Sequence, residues 1–145
     1  MYSYICYLKK SEGNAHITQM LSNIFKCDEE YIGDLLNPEN FEIRFENRIL
    51  DNVSEFYVEL NVYLNDDNNI TTVFGCNFLF GIEVSKYLNE EVLVSSRNDD
   101  PYEWILIGDS SFFIAEEKDN DVPGITLLRS NNSEISYNKA MLISS

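Results

Sequence analysis

The stretch FEIRFENRILDNVSEFYVELNVYL, residues 41–64, limits the possible folds more than any other part of this 145-residue chain. Phe41, Ile43, Phe45 and Ile49 alternate with Glu42, Arg44, Glu46 and Arg48. Beyond Asp51 and Asn52, the residues Phe56, Val58, Leu60, Val62 and Leu64 alternate with Glu55, Tyr57, Glu59, Asn61 and Tyr63. Successive side chains of a strand point to opposite faces, so period two on both sides of a polar link predicts a hairpin with one buried face. A two-residue turn at Asp51 and Asn52 pairs Leu50 with Val53. That register sets Arg48 opposite Glu55, Arg44 opposite Glu59, Phe45 against Val58 and Ile43 against Leu60.

The rest of the chain reads around this hairpin. YSYICYL, residues 2–8, is an aromatic-rich strand. Ile17, Met20, Leu21, Ile24 and Phe25 have the spacing of an amphipathic helix, with Asn14 as its N-cap. A second short helix is predicted after Asp28, with Tyr31, Ile32, Leu35 and Leu36 on one face and Pro38 ending it. Ile70 to Val73 favours a strand, and a helix follows at about residues 78–89. EVLVSS is a further strand, and EWILIGDSSFFIAEE gives two strands joined at Gly108 to Ser111. The unbroken apolar run there predicts a sheet covered on both faces. GITLLR is a last strand, and Ser133 caps a short terminal helix reaching Met141. The expected fold is α+β: one domain over residues 1–145. Its mainly antiparallel sheet has about six to seven strands, with two N-terminal helices and one or two further short ones.

Charge narrows the function. The formal net charge is −15, and residues 51–121 carry sixteen acids against Lys86, Arg97 and Lys118, so −13 of it lies there. A nucleic-acid binder must neutralise phosphates with Lys and Arg, and an anionic membrane surface makes the same demand. Neither suits this chain. A basic protein is the natural partner, because opposite fields steer encounter. Cys6, Cys27 and Cys76 lack metal-ligand spacing and read as reduced apolar residues of a cytoplasmic protein. The start MYSYICYLKK has no signal-peptide pattern.

Catalytic motifs are not found. His16 is the only histidine, so a His-rich zinc site and a paired-His acid–base mechanism are both excluded. The carboxylates are too many for any one pair to stand out, and the Asp-rich turns lack the EF-hand spacing. No cofactor, metal or catalytic residue is expected.

The acids themselves are the candidate site. Asp66, Asp67, Asp99, Asp100, Glu103, Glu116, Glu117, Asp119 and Asp121 fall in turns or at strand ends. Turns after strands bring such charges toward one rim, at a cost in self-repulsion that a basic partner offsets. Tyr57 and Tyr63, on the outer face of the hairpin, are expected contact anchors, since Tyr is enriched in interfaces.

In size, acidity, Asn-rich composition and absent motif, the chain resembles the small acidic immunity proteins of bacterial polymorphic toxins, including contact-dependent growth inhibition systems. EWILIGDSSFFIAEEKDNDVPGITLL, residues 103–128, resembles the C-terminal strand pair of SUKH-type immunity domains. That family's N-terminal Leu-Pro pair and its Asn-Gly-Gly segment are missing here. Both resemblances imply one-to-one binding of a toxin C-terminal domain, often a nuclease, which is neutralised by occlusion in the cytoplasm. The other readings are a non-catalytic adaptor that adds a peptide strand to its sheet, and a carboxylate or metal enzyme.

Overall fold

The computed structural model describes residues 2–65, 70–119 and 121–144. Its strands are β1 (Tyr2–Leu8), β2 (Ile32–Asp34), β3 (Ile43–Ile49), β4 (Val58–Leu64), β5 (Val92–Ser95), β6 (Glu103–Gly108), β7 (Ser111–Glu116) and β8 (Ser133–Ile135). They form one sheet in the order β2-β3-β4-β1-β5-β6-β7-β8. Every neighbouring pair is antiparallel except β2 and β3. Among the described residues three helices accompany it: α1 (Asn14–Phe25), α2 (Asn77–Leu88) and α3 (Tyr137–Ser144). The class is the expected α+β, with more strands than expected and with helices spread along the chain.

The main core lies between the helices and one face of the sheet. Ile17, Met20, Leu21, Ile24 and Phe25 of α1 are buried against Ile43, Phe45, Val58, Leu60, Val62 and Leu64. Phe80 and Val84 of α2 meet Val92, Val94, Ile105 and Ile107 in the same cluster. Gly81 permits this close approach, since a Cβ there would lie 2.9 Å from side-chain atoms of both Ile107 and Val94. Both long helices end alike. Lys26 and Asn89 adopt the left-handed conformation, Cys27 and Glu90 donate back to the carbonyls of Ser22 and Ser85, and those serines' hydroxyls donate to the carbonyls of Cys27 and Glu90.

The hairpin of β3 and β4 forms with the expected faces but another register. Arg48 pairs with Glu59, Arg44 with Tyr63, Phe45 with Val62 and Ile43 with Leu64, four residues from the two-residue-turn register. An even shift leaves every side chain on its face, so alternation alone does not distinguish the two. Loop chemistry decides. The Asp51 carboxylate accepts from the Val53 and Ser54 N–H groups and the Ser54 hydroxyl, building a longer loop. Phe56 then leaves β4 to pair with Ile125.

Other expectations are corrected. After Asp28 comes a single 3-10 turn (Glu29–Tyr31) and then β2, not a second helix. Ile32 is buried there and Leu36 is exposed, so their spacing does not describe one helical face. Gly13, not Asn14, holds the N-cap position of α1, and the Asn14 side chain donates to Asp34. Residues 70–73 form no strand. Of GITLLR, only Ile125 and Leu127 make isolated bridges, to Phe56 and Glu117. Ser133 begins β8, and the Ser136 hydroxyl accepts from the Lys139 N–H at the start of α3.

The segment around Ile125 covers the opposite face of the sheet. Phe56, Ile125 and Leu127 bury Leu93, Leu106 and Ala115, with Tyr7, Trp104 and Phe113 packed around them. The apolar run of β6 and β7 packs on both faces, Ile105, Ile107, Phe112 and Ile114 toward the main core and Leu106, Phe113 and Ala115 toward the second. This second core sets the Trp104 position.

Candidate functional site

The two ends of the sheet differ in how their charges are treated. Near the C-terminal end of β1 and the N-terminal end of β5, acids meet bases. Lys9 lies 3.2 Å from Glu91, Lys10 lies 2.8 Å from Glu90, and Arg129 lies 2.8 Å from Glu91 and also pairs with Glu55. The Arg129 bond is the main cause holding the Glu91 carboxyl below its ordinary range; burial opposes it. Arg48 pairs with Glu59 at 3.1 Å on the neighbouring strands.

At the opposite end, β6 starts, β7 finishes and β5 runs out into residues 96–102. Glu103 stands directly opposite Glu116 in the β6–β7 register. A notch of about 100 Å³ lies among Asp100, Glu103, Glu116 and Asn131, over Ile114 and Ala115. That is room for more than one water molecule. Asp99 sits beside Asp100 in the exposed loop. Glu117 follows Glu116, and its N–H donates to the Tyr102 carbonyl.

Neutral donors hold these carboxylates. Glu103 accepts from the Ser96 hydroxyl at 2.6 Å and from Asn98 Nδ2 at 2.5 Å. Glu116 accepts from Asn131 Nδ2 at 2.7 Å, and Glu117 accepts from the Trp104 indole N–H at 2.9 Å. The Tyr102 N–H donates to Asp100 at 2.9 Å. Among the described residues, no Lys or Arg comes within ion-pair distance of Asp99, Asp100, Glu103, Glu116, Glu117, Asp119 or Asp121. The arrangement holds Asp100, Glu103, Glu116 and Glu117 by neutral hydrogen bonds and without ion pairs, which suits a cationic surface brought from outside.

The other expected residues are placed differently. Asp119 and Asp121 come after this cluster and are exposed. Asp66 and Asp67 lie outside the described residues. Tyr63 is on the outer face of β4, at the acidic end, but three strand spacings from β6, or about 14 Å. Tyr57, expected on the outer face of the hairpin, is half-buried. It packs against the main core at the far end of β4, and its hydroxyl accepts from the Ser11 N–H.

The sequence reading missed Tyr102, 46 % exposed between Asp100 and Glu103. Its place beside Pro101 and two Asp residues is a turn signal that also marks an exposed aromatic. It missed too the donors Ser96, Asn98 and Asn131, whose roles depend on contacts between separate loops.

His16 Nδ1 lies 2.7 Å from Glu12 on the α1 surface. All three cysteines are free thiols, and burial pushes those of Cys6 and Cys27 up. Among the described residues, no group of three or more His, Cys, Asp or Glu side chains is arranged to hold a metal ion. Among the same residues, no helix is long and apolar enough to cross a membrane. No protein-family model matches the chain, and neither a curated protein nor a solved structure matches it.

Proposed function

We propose that this chain is a cytoplasmic immunity protein that binds one toxin domain with a basic surface, one to one, and blocks it by occlusion. The observation that carries the reading is the acidic end of β6 and β7, where no ion pair forms among the described residues, in a molecule whose other end pairs Glu55, Glu90 and Glu91 with Lys9, Lys10 and Arg129. Inhibition of this kind requires no reaction. It requires a surface that draws the toxin in and then excludes its substrate, and a carboxylate cluster imitates the charge of a nucleic acid.

In this reading Asp99, Asp100, Glu116 and Glu117 supply long-range attraction, and the notch at Glu103 and Glu116 receives a cationic side chain of the toxin. Tyr102 supplies the aromatic contact at the rim. An adaptor that adds a peptide strand finds less support, since the edge strands β2 and β8 are three residues each.

The test is capture of the partner by wild-type protein, followed by kinetics with a variant in which Asp99, Asp100, Glu116 and Glu117 are changed to Lys. The expected result is an association rate at least tenfold lower at low salt, with the difference shrinking as salt rises. Equal rates and affinities for both proteins would overturn the proposal.

A further inference from the structure

We draw no further inference here: the strongest candidate, the cleft of about 360 Å³ where β1 and β5 part beyond Tyr7 and Leu93, lined by Ser3, Ser95, Arg97 and the start of α2, offers only a helix N-terminus and one exposed arginine, and nothing in the structure shows what fills it.

Discussion

Glu103 and Glu116 face each other across the β6–β7 ladder, two carboxylates in the cross-strand position where opposite charges are favoured. Each keeps a neutral hydrogen-bond donor, and among the described residues neither has a Lys or Arg within ion-pair distance. Like charges so placed cost the free protein roughly 0.2–1 kcal/mol. Glu116→Gln keeps an acceptor for Asn131 and removes the repulsion. Its melting temperature should rise by about 1–3 °C, while partner association slows. Calorimetry and binding kinetics on one sample check both signs.

The Trp104 indole reports on the same end of the molecule. It is the only tryptophan, donates to Glu117 and stacks edge-on to Tyr7 with ring centres 5.1 Å apart. A partner docking on these acids should shift Trp104 emission in step with binding, and Glu117→Gln should change the emission of the free protein. Stoichiometric binding with no change in emission would place docking elsewhere.

Asp51 predicts an acid-sensitive loop. Desolvation disfavours its charged form, but hydrogen bonds from Ser54, Val53 and Gly124 outweigh that and hold the carboxyl at about 2, below the ordinary 3.8. A depressed folded value contributes stability that is complete above about 3.8 and is lost as the pH falls toward about 2. Asp51→Asn should flatten the acid limb of the stability curve between those values and lower stability at neutral pH. Denaturant titrations from pH 2 to pH 7 measure the difference.

The second core should carry much of the stability. Phe56 is fully buried against Leu93, Leu106 and Ile125. Phe56→Ala should cost about 3–5 kcal/mol and free the segment around Ile125. Hydrogen exchange at the Phe56 and Ile125 amides, which donate to each other's carbonyls, would then accelerate more than at β4 amides.

Gly33 on β2 lies under the Phe41 ring, leaving no space for a Cβ. Gly33→Ala should destabilise by about 1–3 kcal/mol. Adding Phe41→Leu should recover part of the loss, and thermal melts of both single variants and the double variant give the coupling.

These particulars show what a sequence of this kind discloses. Alternation in residues 41–64 assigns each side chain to a face, because period two is a local property. It does not choose between registers four residues apart. That choice rests on Asp51 reaching Ser54 and Gly124, the latter 73 positions away. The same limit turned Tyr31, Ile32, Leu35 and Leu36 into an expected helix, since a parallel strand as short as β2 has no period of its own to show. Of the acids expected at strand ends, Asp100, Glu103 and Glu116 line one notch. Alternation likewise encodes neither the Phe56–Ile125 bridge nor the packing of Tyr57 against the main core. Identity of the partner lies further off still, because charge specifies a sign and not a surface.

Native mass spectrometry of the protein captured from its own cells, at low and then moderate salt, tests the central claim most directly. The account predicts one basic protein at a one-to-one ratio, retained at moderate salt. No partner, or a mixed set that washes off as salt rises, would contradict it and leave the acidic end of β6 and β7 as a solvated surface.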